Sequence, residues 1–363
     1  MKTEKDSLAA KLLRLMSSMF GSPQYNIEVT TTADSGAGSL RAAAANIELD
    51  GTITFCIPKT DAGYDPASGA WTIKLRRDIQ LRSAATIEGG GKIILDGGGK
   101  CRMISCYDKH TVALEGLALR NGCAADAGAV CVDGDLVATD CAFIGNSSKG
   151  GDGAVYAGAS IVATNCSFIG NASNNEGDSS AACAGDSIIA INCVFAGNRA
   201  DSANSATIDA GDRACLFHAT IADNIGAGVC VGAAVCVCNS IIAGNSAAIQ
   251  IGISDGKRLA AISARDIIGD SLIEGISPNV TRAEIFGGNK IEASASVLSF
   301  IKPLKGGSAD KSASALDIGD IALPEGIEIE EVTSAADIMA ALQIDIAGAP
   351  RSSSSKVSYG AKE

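Results

Sequence analysis

The phrase Cys-x-Phe-x-Gly-Asn occurs three times: CAFIGN at 141–146, CSFIGN at 166–171 and CVFAGN at 193–198. Taking its Asn as a marker extends the series to Asn121, Asn146, Asn171, Asn198, Asn224 and Asn245, in steps of 25, 25, 27, 26 and 21 residues. A period of about 20–30 residues is the signature of a solenoid, in which each repeat packs only on its neighbours. Within a repeat, DLVATDCAFIG and SIVATNCSFIG alternate apolar and polar residues and are punctuated by Gly, Asn and Asp. That pattern predicts short strands and turns. No repeat holds a sustained helical pattern, so the leucine-rich and ankyrin solenoids are excluded.

Further columns align with the marker. Cys141, Cys166 and Cys193 continue as Ala219 and Ser240, and four residues earlier stand Val137, Val162, Ile189, Cys215 and Cys236. Eleven residues before the cysteines come Val130, Val155, Ala182, Ile208 and Val229, each followed by Cys131, Tyr156, Cys183, Asp209 or Cys230. Each coil therefore carries about three strands. Coils stacked at about 4.8 Å place like residue over like, which predicts an all-β parallel β-helix. Phe143, Phe168 and Phe195 should stack as an interior column. The asparagines should sit at a turn, where Asn tolerates left-handed backbone and its side chains can ladder along the axis.

Thirteen cysteines are too regularly placed for a disulfide framework. Cys141, Cys166 and Cys193 read as small apolar residues packed inside the coil. A bridge between in-register strands would be strained, so free thiols are expected. Metal binding is the sharper alternative, but only two histidines exist, His110 and His218, and Cys236-x-Cys238 stands alone.

The net charge of −12 and the lack of clustered Lys and Arg argue against a nucleic-acid partner. No run of 18 apolar residues predicts a transmembrane helix. Residues 1–28 read as an amphipathic leader. Leu8, Leu12, Leu15, Met16 and Met19 have helical spacing, and Lys11 and Arg14 interrupt any signal-peptide core. The coil itself is expected over 29–304. Its first segment, SLRAAAANI (39–47), should be a helix capped by Ser39 that plugs the open end, with Arg41 at the surface or the cap. Residues 305–363 read as a C-terminal cap whose SAADIMAAL stretch takes helical spacing from Ser334.

Chemistry is thinly signalled. A polyuronate lyase needs basic residues for proton abstraction and for the substrate carboxylates. Between Leu114 and Ser254 the chain has only Arg120, Lys149, Arg199 and Arg213 against thirteen acidic residues. A glycoside hydrolase needs paired carboxylates, for which Asp209 with Asp212 is the leading pair and Asp133 with Asp135 the weaker. Asp209 is notable because its column otherwise holds Cys and Tyr. All four also fit solvated turns, as His218 fits packing. Loose Ca²⁺ binding by turn aspartates is the only cofactor expectation, without a Gly/Asp nonapeptide to support it. EGGGK (88–92) lacks the spacing of a phosphate loop, and no Gly-x-Ser-x-Gly elbow occurs.

VTTTADSGAGSLRAAAANIELDGTITF (29–55), TIEGGGKIILDGGG (86–99) and the GAV and FIGN repeats resemble bacterial right-handed β-helix surface proteins. The repeats in particular resemble those of polymorphic outer membrane proteins. Asp345, Gly348, Pro350, Arg351, Gly360, Ala361 and Glu363 match the D-x-x-G-x-P-R…G-A-x-E ending of the same group. The resemblance spans 29–363. It implies a right-handed, pectin-lyase-like coil that is secreted or displayed at the cell surface, often with an adhesive role; the long exposed faces of the coils suit a glycan or protein ligand, and the leading expectation is non-enzymatic recognition. The same fold carries polysaccharide-degrading enzymes, and a rigid spacer is a third reading.

Overall fold

In the computed structural model the chain is a parallel β-helix. The structure describes residues 26–251, apart from 175–177, 201–204, 233 and 239, together with short strands as far as Lys290–Glu292. Residues 1–25 and 293–363 lie outside the described residues, and with them the expected C-terminal cap and all of the expected leader but 26–28, which belong to the strand Asn26–Val29.

One coil shows why the sequence folds this way. Leu136–Thr139 runs to a bend at Asp140, and Ala142–Ile144 to a second bend at Gly145; Ser147–Ser148 follows, and Val155–Ala157 closes the circuit. Each strand pairs in parallel with the segment 25 residues on: Leu136 with Ile161, Ala142 with Ser167, Ser147 with Ala172, and Val130 with Val155. Repetition builds three sheets. Sheet I has eight strands, from Ile79–Leu81 to Ala247–Ile251. Sheet II contains the two legs that meet at the Asp140 bend, and sheet III is a narrow four-stranded ladder.

Alternation decides what each strand buries. Leu136 and Ala138 point inward and belong to the core, whereas Val137 and Thr139 face out. Leu119, Phe143, Phe168, Phe195 and Ile221 form one continuous inner column. The rings of Phe143 and Phe168 lie 4.6 Å apart at 12°, and those of Phe168 and Phe195 lie 4.5 Å apart at 6°. Burying each ring contributes about 1.5–3 kcal/mol, and offset stacking adds about 0.5–1.5 kcal/mol.

The coil is narrow because small residues line its corners. After sheet I the chain turns at Gly158, Gly185, Gly211 and Gly232, and a Cβ on Gly211 would lie 1.9 Å from the carbonyl oxygen of Gly185. Any larger residue would force adjacent coils apart.

The asparagine column bends the chain differently from the sequence expectation. The left-handed residues are those just before it: Gly145, Gly170, Gly197, Asp223 and Gly244. The asparagines themselves are buried hydrogen-bond bridges. Asn146 donates from Nδ2 to Asn171 Oδ1 at 3.1 Å and to the Leu119 carbonyl at 3.0 Å, and its backbone N–H also reaches Asn171 Oδ1 at 2.9 Å. Asn171, Asn198 and Asn224 repeat the motif, and Asn245 accepts from Asn224 and donates to the Ile221 carbonyl. Each side chain thus satisfies the backbone groups that the bend removes from the sheet.

Asn121 is not a member of this ladder, which corrects the expected alignment. Phe143 pairs with Leu119 and Ile144 with Arg120, so Asn121 lies under Gly145 and Gly122 under Asn146. Asn121 accordingly has φ 53°, and its Nδ2 donates to Asp96 instead. The first coil is one residue shorter than the marker spacing implied.

At the N-terminal end, helix Leu40–Asn46 packs on Asn26–Val29 and Ile79–Leu81. Ser39 Oγ accepts the Ala42 N–H, and Leu40, Ala43 and Ala44 are buried. Of the two places expected for Arg41, surface or cap, it takes the cap. It donates to the Asp78, Arg77 and Asp34 carbonyls and to Asp34 Oδ1, at 2.6–3.1 Å, with 15% of its side chain exposed. It clamps the helix to the turn before sheet I.

Candidate functional site

The outer face of sheet I carries the most unusual chemistry. Ser105, Cys131, Tyr156, Cys183, Asp209 and Cys230 stand in register, one per coil. They point away from the core, where Val130, Val132, Val155 and Ala157 on either side of them are buried; Tyr156, Cys183 and Asp209 are half-buried and form its accessible stretch, whereas Ser105, Cys131 and Cys230 are buried. Beside the row runs a line of turn carboxylates. Asp126 Oδ1 accepts the Asp152 N–H at 3.1 Å, and Asp152 Oδ1 accepts the Ser179 N–H at 2.9 Å. Arg102 holds the base of this line through the Asp126 and Ala127 carbonyls and donates to Tyr107 Oη.

Asp152 is the residue that sequence reading missed. Burial pushes its carboxyl up to about 6, and the charge of Asp178 adds to the shift, while the hydrogen bonds from Ser179 and Cys183 oppose it. The only sequence signal was GDGAV in place of DAGAV, which does not reveal burial. Tyr156 is pushed up by burial and by the negative groups around it, Cys183 and Asp152 first. Burial also holds the Cys183 thiol well above its ordinary value, helped by the charges of Asp152 and Asp209, and raises Cys131 to about 11. These thiols are protonated at neutral pH and make poor nucleophiles. The row can donate and accept hydrogen bonds and offers one aromatic ring. Beside it, Asp152 is the carboxyl that burial raises.

The leading sequence pair separates in character. Asp209 lies half-buried in the row, whereas Asp212 occupies the following turn and its Oδ2 pairs with Arg213 Nε at 3.0 Å. Asp133 and Asp135 belong to turn stacking: the Asp133 N–H donates to the Cys106 carbonyl, and Asp135 Oδ1 accepts the Ser160 N–H. Among the described residues, no group of three or more His, Cys, Asp or Glu side chains is placed to hold a metal ion.

Cys141, Cys166 and Cys193 lie inside the coil. Their thiols donate to the Leu114, Ala138 and Ala163 carbonyls of the coil before, at 3.3–3.5 Å. Ser240 repeats the contact with the Leu216 carbonyl. All described cysteines are free. His218 is fully buried at φ 50°, in line with Asp140, Asn165 and Asn192. That line is a second ladder, Asn192 to Asn165 and Asn165 to Asp140, both at 3.1 Å. It was legible as the polar residue preceding each cysteine.

Comparison with protein-family models, with curated proteins and with solved structures finds no match to this chain. Among the described residues, no helix is long and apolar enough to cross a membrane.

Proposed function

We propose that the chain is a secreted or surface-displayed recognition protein that binds an extended, uncharged glycan or a peptide strand along the outer row of sheet I. The observation that carries this reading is the register of Cys131, Tyr156, Cys183 and Asp209, flanked by Asp152. An aromatic ring between hydrogen-bonding groups suits a polyhydroxylated ligand, with the ring against a sugar face and the carboxylates accepting from hydroxyls. Protonated thiols add weak donors without covalent reactivity. The acidic balance disfavours a polyanionic ligand. Surface placement rests on the sequence resemblance, and buried thiols are compatible with an oxidising exterior because they are out of solvent.

A second reading is glycoside hydrolysis, favoured by one observation: burial pushes the Asp152 carboxyl up to about 6, and Asp209 stands in the row beside its turn. An acid raised by burial and a second carboxylate are the two groups such enzymes require.

A glycan array and a polysaccharide-degradation screen on the purified chain, each with and without Ca²⁺, separate these readings. Binding that is lost in Tyr156→Ala and leaves the polymer intact supports recognition. New reducing ends that vanish in Asp152→Asn support hydrolysis instead. Silence in both assays overturns the glycan reading, leaving a rigid spacer or a protein ligand.

A further inference from the structure

The outer face of sheet II changes character along the axis. One outward column reads Glu88, Glu115, Thr139, Thr164, Ile191, Phe217. Its first two members are exposed, its next two half-buried, and Ile191 and Phe217 are 1% exposed. A second column, on the other leg, reads Ile144, Ile169, Ala196, Ala222, and its exposure falls from 42% to 0%. These side chains are not interior. Ala214 and Leu216 take the inward positions of the Phe217 strand and belong to the core, from which Ile191, Phe217 and Cys215 are absent; Val194, Ala196 and Ile169 form a separate cluster. A phenylalanine on the open side of a single sheet would leave much of its ring in water. Its burial requires a second layer, and the described strands of sheet II supply only the first.

We propose that this layer is the chain's own C-terminal segment, residues 305–363, seated through the apolar side of 334–342. This inference concerns a different face from the recognition row and is independent of it. Three observations choose the occupant. Coverage is complete on the coils nearest the C-terminal end, and the chain leaves the last described strand, Lys290–Glu292, on that same sheet. A segment arriving from residue 26 would first meet exposed Glu88 and Glu115, which offer it no apolar seat. The stretch SAADIMAAL puts Ala335, Ile338, Met339 and Leu342 on one side. A nine-residue helix is about 13.5 Å long. The four buried strand positions Val162, Ile189, Cys215 and Cys236 span roughly 14 Å at sheet spacing.

Cysteine labelling reads this layer directly. Cys215 faces out beneath the proposed layer, Cys166 and Cys193 face in, and Cys56 is exposed. In the full-length chain under reducing conditions, a maleimide pulse should modify Cys56 and spare the other three. Ile338→Asp with Leu342→Asp should speed Cys215 labelling by about tenfold or more and leave Cys166 and Cys193 protected, independently of protein concentration. The proposal is overturned if wild-type Cys215 labels as fast as Cys56, or if the double variant leaves it protected. It is equally overturned if Leu12→Asp with Leu15→Asp unmasks Cys215 instead. Should the double variant unfold, exposing Cys166 and Cys193, a photo-crosslinker at Thr220, which stands over Val194 on the outer face of sheet II, decides the matter in the otherwise native chain. Adducts within 305–363 sustain the proposal. Adducts within 1–25 or 252–266, adducts between two chains, or none at all, overturn it.

Discussion

At the scale of single residues, the asparagine ladder turns one side chain into several backbone hydrogen bonds. Removing Asn171 strands the Asn146 N–H and the Phe143 carbonyl in a dry interior. Asn171→Ala should therefore cost about 3 kcal/mol, each orphaned group contributing about 1–3 kcal/mol, measurable by urea denaturation. Asn121→Gly should change stability by less than about 1 kcal/mol, because its left-handed backbone suits glycine and its one side-chain contact is to Asp96. Equal losses in the two variants would contradict the register. Both residues are Asn beside Gly in the sequence, which is why the marker series counted them alike; only strand pairing tells them apart. Asp152 makes a pH-dependent contribution. Its folded-state carboxyl titrates at about 6 against an ordinary 3.8, so the native state binds the proton more tightly. Stability should fall as pH rises from about 4 through 6 and stay reduced above that. Asp152→Asn, which keeps an acceptor for Ser179, should stabilise the protein by about 2–3 kcal/mol at pH 8 and by almost nothing at pH 4. Thermal melts across that range would show it.

At the scale of elements, the strands are short and hold by stacking. Leu136–Thr139 and Ala142–Ile144 are four and three residues long and would not persist alone. Their stability comes from the coils above and below, through columns such as the phenylalanines. Phe168→Ala should cost about 3–5 kcal/mol, since it empties the space between two stacked rings that cannot close without pulling coils together. A loss below about 1 kcal/mol in a denaturant titration would show that the column is not continuous. The strand alternation and the interior columns were legible because period 2 inside period 25 leaves few solutions. The outward columns were not. Val162, Ile189 and Cys215 read as core by hydropathy, yet they face away from it, and which side of a strand is inside depends on where the neighbouring bend falls.

At the scale of the whole molecule, cohesion comes from hydrogen-bonded parallel sheets and a thin apolar core, with the described thiols unbridged. Midpoints of denaturation should accordingly be the same with and without reductant, within error; a drop on reduction would mean that bridges form in solution. The buried cysteines of the inner column, whose thiols donate to carbonyls of the preceding coil, should resist alkylation until the coil unfolds.

The sequence by itself determined the architecture: a repeat of about 25 residues, built from alternating strands and marked by Gly-Asn, has a parallel β-helix as its solution, and the free thiols follow from their regular places in it. Tertiary structure alone decided what the polar residues do. Asp152 and Asp209 differ little as letters, but one is desolvated in a turn and the other stands half-buried on a sheet. Asn121 and Asn146 share a neighbour and differ in register. Burial, and therefore proton affinity and partner choice, depends on which coils stack over a residue, and that is a property of three dimensions that no local pattern contains.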